Sequence, residues 1–124
     1  MLKLNVDSYA PYAVVSADGA IGDLTDLASG LPMANGTIFI TKGSAAALTL
    51  RAPLSGPADS GGEDNRMLEI TSTTAYQHVI TTPTNKVNGA TKTITLSGAA
   101  GDGVRLVAYS GVWYAQRSDH NALT

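Results

Sequence analysis

The sequence predicts an all-β protein, a small antiparallel β-sandwich or barrel of about seven to nine short strands with an irregular N-terminal arm. Two observations predict this class. Short segments between residues 67 and 117 alternate apolar and polar side chains, the period of a strand with one buried face. The breaks between them carry turn residues such as Asn88-Gly89 and Ser110-Gly111, which tolerate positive φ at low cost.

Five strands are predicted in the C-terminal half of the chain. They span residues 67–73, 76–82, 91–97, 104–109 and 112–117. The alternation is clear in the first of them, where Leu68 and Ile70 face one way and Glu69 and Thr71 the other. Only two residues separate the last two strands, and the second is glycine, which predicts a tight hairpin.

The middle of the chain predicts two more strands and a long surface loop. The strands cover residues 37–41 and 45–51, and the loop covers residues 52–66, where proline and glycine are dense. Loops of this length in a compact domain are often functional. Its acidic stretch, residues 59–64, is consistent with calcium ligation but lacks EF-hand spacing, so a solvated loop in which Arg66 pairs with a neighbouring carboxylate is favoured.

The first 33 residues lose the β pattern after a short candidate strand at residues 12–16. Residues 23–28 predict one helical turn, which needs a surface to lie on because it is too short to be stable alone. Two interpretations stay open: a loop that packs on its own domain, or an arm that reaches another subunit. The predicted organisation is an arm at 1–33, a β-domain at 34–117 and a C-terminal tail at 118–124.

Composition excludes several kinds of function. The chain has 124 residues and a formal net charge of −2, which favours neither nucleic acid nor an anionic membrane as a partner. It has no cysteine, so disulfides and zinc–thiolate sites are excluded. The N-terminus lacks an apolar segment of signal-peptide length, which predicts synthesis in a cytosol without processing. Only 6% of the residues are aromatic, a small supply for a core, which favours either close approach of the strands or a core completed by neighbouring subunits.

The sequence predicts neither catalysis nor a cofactor. His78 and His120 are isolated and lack the spacing of a metal site, and no serine lies in a nucleophile elbow. Aromatic residues cluster around the final hairpin, where Trp113 is predicted to anchor the core. Tyr109 and Tyr114 beside it are predicted to cover strand faces, with an aromatic contact surface for a partner or a sugar as the alternative.

From residue 47 to residue 113 the sequence resembles small structural proteins of tailed bacteriophages. The resemblance is carried by residues 47–56, 61–66, 73–81, 85–89 and 101–113. The last block has a Gly-Asp turn, an apolar strand, a glycine turn and a strand with tryptophan, a pattern that recurs in phage fibre and head-decoration domains.

The resemblance implies a non-enzymatic homotrimeric cement protein that binds the outside of the icosahedral capsid. Its partners would be the major capsid protein and two further copies of itself, and its location the surface of a virion assembled in the host cytoplasm. The arm is then expected to contact the capsid through its apolar residues. These candidate contacts are Tyr9, Tyr12, Leu24, Leu27 and Leu31. The alternative is a receptor- or glycan-binding tip domain of a virion fibre.

Overall fold

The computed structural model describes residues 2–4, 12–21, 24–26, 35–119 and 122–124, and nearly all of their regular structure is β. The strands of the first half are β1 (Leu2–Leu4), β2 (Tyr12–Val15), β3 (Gly19–Ala20), β4 (Leu24–Asp26), β5 (Gly36–Ile40) and β6 (Ala47–Thr49). Those of the second half are β7 (Met67–Ser72), β8 (Val79–Thr81), β9 (Thr93–Thr95), β10 (Gly103–Tyr109), β11 (Val112–Asp119) and β12 (Ala122–Leu123). A short 3-10 turn spans Ala58–Ser60.

Ten of these strands form two five-stranded sheets that enclose the core. The front sheet has the order β11-β10-β7-β5-β2, and the back sheet has the order β12-β9-β8-β6-β3. Strands β1 and β4 pair with each other in parallel, apart from both sheets. The predicted all-β sandwich is confirmed.

Between β2 and β8 the chain winds through this sandwich by crossing repeatedly from one sheet to the other. Apart from β4, the strands from β2 to β8 lie alternately in the front and back sheets. As a result β2, β5 and β7 pair side by side in parallel in the front sheet, and β3, β6 and β8 do so in the back sheet. Strands β9 to β12 complete the sheets with antiparallel pairs. The predicted antiparallel pairing is therefore corrected to mixed sheets, because alternation indicates which face is buried and carries no information on strand direction.

The structure also differs from the prediction near both ends of the chain. The candidate strand at residues 12–16 is confirmed as β2, but β2 and β3 belong to the sandwich rather than to an arm, since the side chains of Ala13, Val15 and Ile21 are buried in the core. The helical turn predicted at residues 23–28 is wrong, since Leu24–Asp26 is a strand that pairs with β1. This pairing gives hydrogen-bond partners to backbone groups that would lack them in a single isolated helical turn. In the predicted tail, residues 118–119 end β11 and Ala122–Leu123 pairs with β9.

The core lies between the sheets and consists of aliphatic side chains from alternate strand positions around one tryptophan. Trp113 is fully buried, and its indole N–H donates to the carbonyl oxygen of Arg51 at 2.8 Å. The prediction that Trp113 anchors the core is confirmed. The final hairpin is confirmed too: Ser110 and Gly111 have φ of 50° and 79°, the two positive values of a type I′ turn.

Candidate interaction face

The outer surface of the front sheet carries an unusual density of apolar side chains for the solvent side of a sandwich. Successive residues of a strand point to opposite faces, so every second residue of β2, β5, β7 and β10, and of β11 as far as Tyr114, points away from the core. We call this surface the front face. Its apolar members are Tyr12, Val14, Phe39, Met67, Val107, Tyr109, Val112 and Tyr114.

One part of the front face lies on β2 and β5, and we call its residues Tyr12, Val14 and Phe39 the Tyr12 margin. Register places Tyr12 opposite Thr37 and Val14 opposite Phe39. The rings of Tyr12 and Phe39 meet edge to face, with centroids 6.0 Å apart and planes at 71°, a favourable aromatic geometry. Tyr12 and Val14 nevertheless remain 39% and 49% exposed, so apolar area is left for a partner.

The other part lies on β7, β10 and β11, and we call its residues Met67, Val107, Tyr109, Val112 and Tyr114 the Tyr109 margin. Met67, Val107 and Tyr114 form one row across the three strands, and Tyr109 stands opposite Val112 in the next. Tyr109 is 62% exposed and Tyr114 is 42% exposed. The two tyrosines are therefore diagonal neighbours on one face, within reach of a common ligand.

An ion pair between described side chains lies between the two margins. Arg105 and Glu69 are opposite each other on β10 and β7, and a guanidinium nitrogen lies 3.3 Å from the carboxylate. Thr37 continues the same row onto β5. On the other side, register places Arg117 of β11 opposite Arg105, so the row carries two basic residues and one acidic residue across the front sheet.

The Tyr109 margin is held in place by the long loop predicted at residues 52–66. The Asp64 carboxylate accepts hydrogen bonds from the backbone N–H groups of Gly56 and Ser110, at 3.2 and 2.8 Å. Asn65 donates its backbone N–H to the carbonyl of Ala108 at 2.6 Å. The loop thus folds against the hairpin that presents Tyr109, rather than forming a separate acidic site.

Glu63 fixes the base of this loop through two arginines. It accepts from Arg51 Nη2 at 2.9 Å and from Arg66 Nη1 at 2.7 Å, and its other oxygen accepts from the backbone N–H of Leu54 at 2.8 Å. Burial alone would raise the pKa of Glu63, but the Arg51 and Leu54 hydrogen bonds and the two positive charges outweigh it and hold the pKa at about 2. The predicted pairing of Arg66 with a loop carboxylate is confirmed. Arg66 also lies over the Trp113 ring, 5.9 Å from its centroid.

The structure describes only part of the contact set predicted for the N-terminal segment. Tyr12 is exposed on the Tyr12 margin. Leu24 lies in β4, where the backbone alone is described. Tyr9, Leu27 and Leu31 lie outside the described residues. Their role as capsid contacts stays a prediction.

Sequence reasoning did not identify four contributors to the front face: Val14, Phe39, Met67 and Val107. The available signal was the presence of apolar residues at outward as well as inward positions, as in residues 36–40, where Phe39 lies between the buried Ile38 and Ile40. A strand that is apolar on both sides indicates that both sides are covered. The tyrosines of the hairpin were identified, because exposed aromatics at a turn are conspicuous.

His78 is buried and serves the fold. Its Nδ1 accepts the backbone N–H of Ala46 at 3.0 Å, and its Nε2 lies 2.9 Å from the hydroxyl of Thr74. Burial lowers the pKa of His78, and the nearby charge of Lys42 lowers it further. Within the described ranges, no group of three or more histidine, aspartate or glutamate side chains is placed to hold a metal ion.

Comparisons of the chain with protein-family models, with curated proteins and with solved structures gave no match. In the part of the chain that the structure describes, no helix is long and apolar enough to cross a membrane. The residues and geometry of the front face are therefore the basis for inferring function.

Proposed function

We propose that this chain is a non-enzymatic structural protein of a tailed bacteriophage, a homotrimeric cement protein that binds the outside of the capsid and stabilises contacts between major capsid subunits. The observation that carries the proposal is the front face, where about half of the chain's aromatic residues lie outside the core on one side of one sheet. Exposed apolar patches of this kind mark protein contact sites. The resemblance of residues 47–113 to phage structural proteins supplies the virion context.

A cement protein acts by mass action and needs no reaction. Any protein that binds the assembled shell but not its separated subunits stabilises the shell in proportion to its occupancy. Three copies joined in one particle bind a surface of matching symmetry with added avidity, because the second and third contacts become intramolecular. A rigid sandwich suits this role, since little conformational entropy is lost when it binds.

The proposal divides the work between two parts of the chain. The sandwich joins the copies, and the N-terminal segment contacts the major capsid protein, with Tyr12 as the described residue that it offers. Tyr12 lies where the two parts meet. Its strand, β2, is the edge strand of the front sheet, and β1 of the N-terminal segment lies beside β2. Neither nucleic acid nor membrane is a partner in this scheme, and the protein resides on the virion surface.

Co-sedimentation with purified, undecorated capsids of the phage that encodes the chain tests the proposal. The wild-type protein is expected to pellet with expanded capsids at a fixed stoichiometry and to raise the temperature at which they release DNA. Tyr12→Ala is expected to weaken this binding, whereas Tyr76→Ala, which removes another exposed tyrosine (42% exposed) outside the front face, is the matched control. Absence of the wild-type protein from the pellet would contradict the proposal.

The second candidate, a glycan-binding tip of a virion fibre, is favoured by one observation. Tyr109 and Tyr114 expose their rings as diagonal neighbours, an arrangement on which a sugar ring can stack. Titration with host-surface oligosaccharides, followed by tyrosine fluorescence, distinguishes the two candidates. Saturable binding that Tyr109→Ala abolishes, together with no retention on capsids, would replace the cement proposal with this one.

A further inference from the structure

We propose that a cleft on the outer side of the back sheet binds a small anionic sugar. The cleft has a volume of about 370 Å³, within the range of about 300–1,000 Å³ that ligand pockets occupy. It lies where three parallel strands, β3, β6 and β8, end side by side. The cleft is separate from the front face, so this inference does not depend on the proposed function.

A row of threonine side chains begins in the cleft and continues beyond it. Register places Thr49 opposite Thr81, and Thr81 opposite Thr93, on three neighbouring strands. Since neighbouring strands lie about 4.8 Å apart, the three side chains follow one line at that interval. In the part of the chain that the structure describes, no protein group is hydrogen-bonded to their hydroxyls. Each hydroxyl is therefore free to donate to, and accept from, a ligand that itself carries several hydroxyl groups.

The rest of the cleft wall is apolar and suits the carbon face of a sugar ring. Ala20 lies beside Thr49 in register and adds only a methyl group, and Pro83 follows the end of β8. Small-molecule sites combine an apolar lining of this kind with a few polar groups that fix the orientation of the ligand. Because Ala20 is small, the exposed Thr49 hydroxyl remains accessible from the edge of the sheet.

The charges beside the cleft favour an anion. Arg51 forms part of the cleft lining, and its guanidinium shares the carboxylate of Glu63 with Arg66, so these three side chains carry one net positive charge. Asp18, which precedes β3, is neutralised by Lys42 at 2.7 Å. The cleft is therefore locally positive although the chain has a formal net charge of −2, and a negative ligand is attracted to it.

The segment that continues from β8 adds to this positive charge. Residues 82–92 include two lysines, Lys86 and Lys92, and no acidic residue. The backbone N–H of Lys86 donates to the carbonyl of Pro83 at 3.2 Å, and the carbonyl of Lys92 accepts from the N–H of Thr82 at 2.6 Å. Both lysines thus start from backbone that contacts the cleft wall. The hydroxyl row and the charge together point to a ligand with hydroxyl groups and one acidic group.

Nuclear magnetic resonance titration of the full chain, labelled with ¹⁵N, tests the site. Glucuronate and glucose 6-phosphate carry a carboxylate or a phosphate on the same kind of ring, and glucose carries neither. At least one of the two anionic sugars is expected to bind with millimolar affinity and to shift the amide signals of residues 49–51 and 81–82. The one that binds more tightly identifies the acidic group. Glucose, acetate and inorganic phosphate are each expected to bind at least about tenfold more weakly, because each lacks one of the two kinds of contact.

Thr81→Val removes one hydroxyl of the row while it keeps the shape of the side chain. This variant is expected to bind the anionic sugar about tenfold more weakly. Thr95→Val is the matched control, because Thr95 lies on the same side of the back sheet but outside the cleft, and it is expected to bind as the wild type does. The amide spectrum shows whether each variant is folded, and Thr49→Val replaces Thr81→Val if the latter is not.

Three results would each overturn the inference. One is that neither anionic sugar shifts the signals of the cleft. Another is that glucose binds as tightly as the better anionic sugar, which would remove the role of charge. The third is that the folded hydroxyl variant binds as the wild type does, or that Thr95→Val loses as much affinity. Capsid co-sedimentation is measured without sugar, so its result and the result of this titration are distinguishable.

Discussion

The imidazole of His78 accepts the backbone N–H of Ala46 at 3.0 Å and thereby joins two corners of the sandwich. An accepting Nδ1 places the proton on Nε2, which then donates to the hydroxyl of Thr74 at 2.9 Å. That hydroxyl donates in turn to the carbonyl oxygen of Lys42 at 3.0 Å. A buried neutral histidine thus links the β5–β6 connection to the β7–β8 connection. In both connections the chain crosses from the front sheet to the back sheet.

This chain of hydrogen bonds predicts that acid destabilises the fold through His78. Its folded pKa lies below the ordinary value of about 6.5, so the unfolded state binds the proton more readily. The stabilisation is complete above about pH 6.5 and is lost as the pH falls towards the folded pKa, with a slope of at most about 1.4 kcal/mol per pH unit from this group. Urea unfolding between pH 8 and pH 5 measures it.

The matched control for His78 is the other histidine of the chain. His78→Gln keeps an acceptor for Ala46 but cannot be protonated, so its free energy of unfolding is expected to change less between pH 8 and pH 5. His120→Gln is expected to retain the wild-type slope. The charged or titratable groups that face His78 are Lys42 and Tyr76. Equal slopes for the wild type and the His78→Gln variant would refute the assignment.

The ion pairs of Glu63 predict a second dependence at lower pH. Glu63→Gln is expected to lower the free energy of unfolding at pH 7 by about 2–3 kcal/mol, because charged hydrogen bonds to Arg51 and to the buried Arg66 are replaced by weaker neutral ones. The sign follows from a folded pKa of about 2 against 4.5: the contribution is present above about pH 4.5 and is lost as the pH falls towards 2.

Glu69→Gln is the control for Glu63, since it removes an ion pair between more exposed side chains. We expect a cost below about 1 kcal/mol there. Urea unfolding at pH 7 and pH 3 measures both variants. An equal loss of unfolding free energy in the two variants would show that the ion pairs of Glu63 contribute no more to stability than the more exposed pair of Glu69.

The sequence predicted the strands better than their arrangement. The alternation of apolar and polar residues located most of the buried positions. An apolar side chain on the solvent face of a strand loses the free energy of burial, whatever the position of that strand in the sheet. The parallel stacking of β5 and β7 was not predictable in this way. It depends on the chain crossing to the back sheet at β6 and returning, a long-range relationship that local pattern does not contain.

The same limit explains what was missed near the N-terminus and on the front face. The strand at residues 12–16 was recognised, but its two inward side chains, Ala13 and Val15, are too few to show that it belongs to the core rather than to an arm. The aromatic hairpin was recognised as a possible contact, but Phe39 became part of the face only when register placed it beside Tyr12. The burial of His78 had no signal in the sequence, since one partner is the backbone N–H of the distant Ala46 and the other, the hydroxyl of Thr74, is brought to it only by the fold.

The last prediction concerns the close packing of the long loop against itself. A Cβ atom on Gly62 would overlap the backbone carbonyl of Gly56, because the loop turns back there and Gly62 donates its N–H to Pro57 at 2.9 Å. Since backbone cannot move aside as a side-chain end can, Gly62→Ala is expected to cost about 2 kcal/mol or more. Gly43→Ala is the control, with no atom within 4 Å of its Cβ, and is expected to change stability by at most about 0.5 kcal/mol. Thermal unfolding followed by Trp113 emission measures both, and a Gly62→Ala variant as stable as Gly43→Ala would show that this loop is not held in the described conformation.

The result also bears on the front face, because the same loop holds the hairpin that presents Tyr109. A destabilised Gly62→Ala variant should therefore loosen the Tyr109 margin and weaken any association that depends on it.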